Sequence, residues 1–221
     1  MSSISVACRH QRRYRFEPRR TALLAIDLQQ EFFAADLGQC ADAMNAIIPR
    51  VARVMGTARA LGCRVIHTRE SYQPDLSDVH PYRRFLDYVG EARSTGRFCI
   101  LGEPGHEFVE AVAPLPGETV IDKASFGAFY NTDLDQRLRA DGIDHLVLCG
   151  VTTQCCVHST LREAVDRGYW CLTLADACAA TEPGMHEAAL SLIAGEGHLF
   201  GWVADSADFV AAAAAPCPGQ D

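Results

Sequence analysis

Five short apolar runs punctuate this chain: Thr21–Asp27 (TALLAID), Arg64–Glu70 (RVIHTRE), Thr119–Lys123 (TVIDK), His145–Val151 (HLVLCGV) and Trp170–Asp176 (WCLTLAD). Each is β-branched or leucine-rich and nearly continuous rather than alternating, the pattern of strands buried on both faces of a parallel sheet. A weaker sixth run lies near His198–Ala204. Between the runs the spacing turns helical. Ala41–Leu61 places Met44, Ile47, Ile48, Val51, Val54 and Met55 on one face and ends at Gly62, a natural C-cap. Asp133–Ala140 and Cys155–Arg167 read as helices closed by Gly142 and Gly168, and Glu182–Ala194 carries Pro183 at its first helical position.

This alternation predicts an α/β chain with a doubly wound, mostly parallel six-stranded sheet and helices on both faces. We read it as one domain over residues 1–221, with 1–20 as an N-terminal arm. Ser71–Gly117 breaks the rhythm. It is rich in Pro, Gly, Asp and Arg, and its one short helical candidate lies around His106–Ala113. Loops of that length serve a function or a subunit contact.

Composition narrows the function classes. A chain of 221 residues, 48% hydrophobic, buries a sizeable core. It has no apolar run of about 18 residues, so no membrane helix is expected. The net charge of −8 argues against a nucleic-acid binder, despite the arginines of MSSISVACRHQRRYRFEPRR. That start lacks a signal-peptide apolar stretch and reads as a solvated arm along a subunit surface. The ten cysteines show neither a CxxC pair nor zinc-finger spacing. Cys63, Cys99, Cys149 and Cys171 lie in or beside apolar segments, as small buried hydrophobes do. A reducing cytoplasm and mostly free thiols follow as the expectation.

In an open parallel sheet, ligands bind beyond the carboxyl ends of the strands, where strand order reverses. The first strand ends in Asp27, the second in His67–Glu70 and the third in Lys123, while the fourth runs through Gly150 to Cys155, Cys156 and a helix. A cysteine in a first helical turn is pushed toward thiolate by the helix dipole, and free backbone N–H groups there can hold an oxyanion. Cys155 and Cys156 both qualify, although helix neighbours point about 100° apart. Two buried structural cysteines are the plainer alternative. Asp27 weakens that alternative, because an unpaired carboxylate at the end of an apolar strand is costly. Lys123 needs a partner for the same reason. Together they suggest Asp as proton acceptor and Lys as the group that orients it.

Three stretches then carry a resemblance: AIDLQQEF (25–32), DKASFGAFYNTDL (122–134) and GVTTQCCVHSTLREAVDRGY (150–169). They resemble, in order, the aspartate, lysine and nucleophile motifs of isochorismatase-like cysteine hydrolases, over about Thr21 to Ser206. The resemblance implies that fold, a triad of Asp27, Lys123 and Cys156, and Cys155 as a bystander. It also implies a cis peptide at Val151–Thr152, with the N–H groups of Thr152 and Cys156 turned to the substrate oxygen. Gln29, Phe32, Phe126 and Trp202 follow more weakly as pocket residues. Homo-oligomers, dimeric or tetrameric, are common in such proteins.

Within that superfamily, isochorismatases lack the cysteine, and nicotinamidases carry an Asp-x-His metal motif that HTRESYQPDLSD (67–78) does not contain. No metal or organic cofactor is therefore expected. His67 reads as a hydrogen-bonded strand residue, and Arg69 and Glu70 as partners of each other. The wording of 67–78, DACAATEPGMH (176–186) and GHLFGWVADS (197–206) is similar to biuret-hydrolase-like members. Carbamoylsarcosine enzymes place a carboxylate-binding arginine after the fifth strand, where this chain has Glu182. The expectation is an amidohydrolase of a small urea-type substrate such as biuret. N-carbamoyl amino acids and ureidoacrylate are the alternatives within the chemistry. A redox-active thiol protein and a silent binding module are the alternatives outside it.

Overall fold

A computed structural model describes residues 3–37 and 39–215. Its strands are β1 (Ile4–Cys8), β2 (Arg12–Phe16), β3 (Thr21–Ile26), β4 (Arg64–Glu70), β5 (Ala92–Arg93), β6 (Gly96–Arg97), β7 (Thr119–Lys123), β8 (His145–Val151), β9 (Trp170–Ala179) and β10 (Trp202–Ala204). The helices are α1 (Gln39–Asn45), α2 (Ile48–Leu61), α3 (Pro81–Leu86), α4 (Leu134–Ala140), α5 (His158–Asp166), α6 (Pro183–His198) and α7 (Ser206–Ala214).

Six strands form one parallel sheet in the order β10-β9-β8-β3-β4-β7. The chain builds outward from β3 through β4 to β7, then crosses back to start β8 on the other side of β3. The crevice between β3 and β8 is thus the switch point. Alternate residues of each strand feed two cores. Leu23, Ala25, Val65, Val147 and Leu172 meet α2 through Val51, Val54 and Met55. Leu24, Ile26, Ile66, Ile121, Leu146 and Leu148 meet α4, α5 and α6 through Leu134, Leu161, Leu190 and Ile193. The sheet is therefore covered on both faces, which is why its strands read as continuous apolar runs. Cys63, Cys99, Cys149 and Cys171 are buried as expected, and no described cysteine is in a disulfide.

Several expectations needed correction. The single helix expected over Ala41–Leu61 is two, because Pro49 opens a new helix at its first turn and has no N–H for an older one. The candidate at His106–Ala113 is two separate 3₁₀ turns, Pro104–His106 and Glu110–Val112, while the α-helix of this region is α3. The Cys155–Arg167 helix begins as a wider π-turn, Thr153–Val157. The helix from Pro183 runs on to His198, broken by non-helical Gly195, Glu196 and Gly197.

The arginine-rich start is not a solvated arm. It is the hairpin β1–β2, which exposes Arg12, Arg13 and Arg15 and buries Val6, Tyr14 and Phe16. Tyr14 donates to the carbonyl of Trp170 at 3.0 Å, and Phe16 stacks on Phe209 of α7. Among the described residues, no helix is long and apolar enough to cross a membrane.

The hairpin's place in the core has a measurable consequence. Tyr14→Ala is expected to lower the free energy of unfolding by about 3–5 kcal/mol, as for other large buried aromatics. Urea denaturation tests this; a change under about 0.5 kcal/mol, the scale of surface substitutions, would restore the solvated-arm reading.

Candidate active site

Asp27 follows β3 directly, with φ +50. That left-handed conformation is uncommon outside glycine and is found where a side chain must be aimed. It sends the carboxylate under the sheet's upper edge, fully buried. Thr68 of β4 donates to its Oδ1 at 2.5 Å. Lys123, the last residue of β7, places its Nζ 2.8 Å from Oδ2 and donates to the Ser125 carbonyl at 2.8 Å. Apart from the ammonium, Oδ2 has no partner among the described residues, so this oxygen keeps acceptor capacity for a further proton.

The nucleophile candidate lies across the crevice. Gly150, at φ +114, is the residue that lets β8 pass β3, since a Cβ there would fall 2.1 Å from the Ile26 carbonyl oxygen. The Val151–Thr152 peptide that follows is cis. The π-turn then closes on the Thr152 carbonyl, which accepts from the N–H groups of Cys155 and Val157. Cys156 in that turn is 4% exposed and directs its sulfur at Glu70 Oε2, 3.9 Å away. Candidate ligand atoms of Asp27, Glu70 and Cys156 all lie within 4.8 Å of one another. The three predicted residues therefore meet, with Glu70 as a fourth.

Glu70 is the residue that sequence reasoning misread. It does not pair with Arg69, which binds Asp122 at 2.8 Å on the outer side of the alternating strand. Its partner is Arg83 of α3, at 3.0 Å and equally buried. The hydroxyls of Tyr72 and Tyr88 donate to the same Oε1 at 3.2 and 3.0 Å, which leaves Oε2 to the thiol. Burial raises the Glu70 pKa, against the lowering pull of Lys123 and then Arg83. The signal was available, because Glu70 ends an apolar strand as Asp27 and Lys123 do. Arg83 carried none, since it sits in the irregular 71–117 segment.

Gln29 is buried and does not face the crevice as a free side chain. It accepts from the Glu70 N–H at 2.7 Å and donates to the Glu70 carbonyl and to Glu31, so it clamps β3 to β4. The buried Glu31 also accepts from the Cys99 N–H, and burial pushes its pKa up to about 7. Phe32 is half-buried and packs edge-on against Phe98. Phe126 carries the Arg83 guanidinium over its ring, 3.2 Å from the centroid. Trp202 lies in the edge strand β10 among Tyr14, Trp170 and His198, which removes it from the site. Glu182 is exposed ahead of α6, and no hydrogen bond or ion pair joins it to the triad among the described residues. His67 is buried and bonded to Glu118 at 3.0 Å, as expected.

The electrostatics correct one expectation. The Cys156 thiol is not a preformed thiolate. The neighbouring Cys155 thiol, its own burial and the nearby Asp27 raise its pKa well above the ordinary value, and the lowering effect of Lys123 does not offset them. Cys155 beside it is half-buried and free of any disulfide. Burial would deprotonate Lys123, but Asp27, then Cys156 and Glu70, outweigh it and hold the ammonium charged. That cation also answers the question of a metal. Asp27, Glu70 and Cys156 are metal-type donors, but a divalent ion among them would press against the ammonium that already compensates them. The donor set does not fit a metal.

Comparison with known proteins places this geometry. A family model described as an isochorismatase domain matches residues 21–208. A ureidoacrylate amidohydrolase of Methylorubrum extorquens is 35% identical, over 89% of this chain and 84% of that protein. The crystal structure of a cysteine hydrolase from Pseudomonas syringae superposes with a TM-score of 0.78 at 28% identity, covering 90% of this chain and 94% of that one. That of N-carbamoylsarcosine amidase from Thermoplasma acidophilum gives 0.67 at 27% identity, covering 85% and 96%.

A neutral resting thiol predicts how the free protein alkylates. Iodoacetamide labelling of Cys156 should be slow at neutral pH and still rise through pH 9, because a raised pKa leaves little thiolate below it. Peptide mass spectrometry reads the rate, and a plateau near neutrality would reveal a preformed thiolate.

Proposed function

Because the chain belongs to the isochorismatase domain family, matched over residues 21–208, we propose that it hydrolyses a C–N bond of a small N-carbamoyl (ureido) compound through a thioester on Cys156. The observation that carries this reading is the buried meeting of a thiol, a carboxylate with a free acceptor direction and an ammonium at the switch point. The reading is narrower than a general amidase on account of the relatives. Their names give ureidoacrylate and N-carbamoylsarcosine as substrates, both ureido acids. The biuret expectation rested on the wording of 67–78, 176–186 and 197–206 and on Glu182 as an acceptor. The relatives named above favour the ureido alternative instead, and Glu182 is exposed, with no bond to the triad among the described residues.

The chemistry follows from the positions. Asp27 Oδ2 takes the thiol proton, and the Cys156 sulfur bonds to the carbamoyl carbon. The displaced charge on oxygen is met by the N–H groups of Thr152 and Cys156. Asp27 returns its proton to the departing nitrogen as the C–N bond breaks. Water then adds to the carbonyl carbon with Asp27 as base, the C–S bond breaks, and the proton goes back to sulfur. Lys123 holds Asp27 in place and stays charged throughout. Proton transfer from thiol to carboxylate leaves the net charge of the site unchanged, which suits a buried site.

An ammonia-release assay tests the reading. Ureidoacrylate and N-carbamoylsarcosine should exceed biuret and nicotinamide by about tenfold or more in kcat/KM, on the order of 1.4 kcal/mol in transition-state binding. Cys156→Ala should abolish turnover and Cys155→Ala keep most of it, and activity should survive exhaustive chelation. Equal loss from both cysteine variants, or a preference for biuret, would overturn the nucleophile or the substrate class respectively.

A further inference from the structure

Arg83 is an unusual residue to find next to the thiol. It projects from α3, is 5% exposed, and lies over the Phe126 ring three residues beyond Lys123. Nη1 serves the Glu70 carboxylate and the Tyr88 hydroxyl. Nη2 is buried and has no partner among the described residues. A buried guanidinium N–H without an acceptor is costly, so Nη2 calls for a partner from outside the chain, water or a ligand. The same side chain lines a surface cavity of about 230 Å³ with His80, Tyr82, Ala124, Ser125, Phe126 and Tyr130. That cavity adjoins the Lys123–Ser125 turn of the triad.

We propose that Arg83 is the specificity residue of this enzyme, receiving a carboxylate of the substrate on its unpaired Nη2. The inference rests on the ureido reading above and deepens it by assigning the acid group of the substrate to a residue. Geometry supports the division of labour. Glu70 bridges Arg83 and the thiol, with Oε1 on Nη1 and Oε2 facing Sγ. The guanidinium thus stands one carboxyl group away from the nucleophile, within the reach of a short ureido acid whose carbamoyl carbon is under attack. A planar fork held over an aromatic ring can serve two carboxylates at once, which a lysine cannot do with the same geometry. Burial already raises the Glu70 pKa, so Glu70 can accept the proton that lets two acids share one cation. This also accounts for the absence of an arginine after the fifth strand: the charge is supplied from the opposite side of the crevice, on α3.

The test compares N-carbamoylsarcosine with its carboxamide, which removes the charge and keeps the ureido group. In the wild type the acid should have the higher kcat/KM. In Arg83→Gln the acid-to-amide ratio of kcat/KM should fall by about 100-fold, the scale of a lost buried charge partner, and in Arg83→Lys it should fall by less. Glu70→Gln/Arg83→Gln, which leaves no buried charge unpaired, should show the same fall if it arises from recognition rather than misfolding. An unchanged ratio in the Arg83 variants, with both substrates losing rate together, would make Arg83 a structural residue and overturn the proposal. A wild type that prefers the carboxamide overturns it too, and leaves the ureido reading standing. A wild type that hydrolyses neither compound nor ureidoacrylate brings down the ureido reading itself, and this assignment with it.

Discussion

The ion pair between Asp27 and Lys123 is the constraint on which the rest of the molecule turns. Both side chains are fully removed from water, 2.8 Å apart. Losing either partner would strand a buried charge, at a cost on the order of 3–5 kcal/mol. The pair also fixes topology. Asp27 follows β3 and Lys123 ends β7, yet these strands are separated by β4. The lysine therefore has to reach over the end of β4, and this places Glu70, the last residue of that strand, in the same buried space. A six-stranded sheet with the carboxylate and the ammonium of this pair two strands apart is thus what brings a second carboxylate beside the thiol.

That second carboxylate requires a second cation, and Arg83 supplies it from outside the sheet. The long irregular segment between β4 and β7 is what makes the reach possible. Tyr72 and Tyr88, on either side of α3 in that segment, donate to the same Glu70 oxygen. Gln29 ties the Glu70 backbone to β3. Function and fold are not separable here, since the hydrogen bonds that close the 71–117 segment over the sheet are bonds to a residue beside the thiol.

Much of this was legible in the sequence because burial leaves a plain signature. Strands covered on both faces read as continuous apolar runs, so all six were located, and a charged residue ending such a run had to have a partner. Asp27 and Lys123 were found in this way. Glu70 obeys the same rule and was missed because Arg69, adjacent in sequence, looked like a sufficient partner. Adjacent strand residues point to opposite faces, and Arg69 bonds Asp122 instead. The N-terminal hairpin was misread because its signal, Tyr14 and Phe16 between arginines, is period-two alternation too short to stand out from a basic tail. α3 carries no apolar stripe toward a core, since its buried residue is Arg83 and its Tyr82 and Phe85 are exposed. A helix docked by an ion pair has no hydrophobic periodicity to read.

Charge balance accounts for Cys156 resting as a thiol. Asp27 and Glu70 are offset by Lys123 and Arg83, so the site is neutral while Cys156 holds its proton. A resting thiolate would add an uncompensated charge in a buried place, and the raised pKa of Cys156 is in keeping with that cost. Moving the proton to Asp27 avoids the cost, because the charge passes from one acid to another beside the same ammonium. The position of the helix dipole behind Cys156 suggested the opposite, a thiolate ready in advance. The dipole is a fraction of a charge at the end of a turn, whereas the Cys155 neighbour, full burial and the Asp27 carboxylate all raise the thiol's pKa. Burial and these neighbours therefore prevail over the dipole, and in the proposed reaction the nucleophile is formed only when a substrate is there to receive the electron pair.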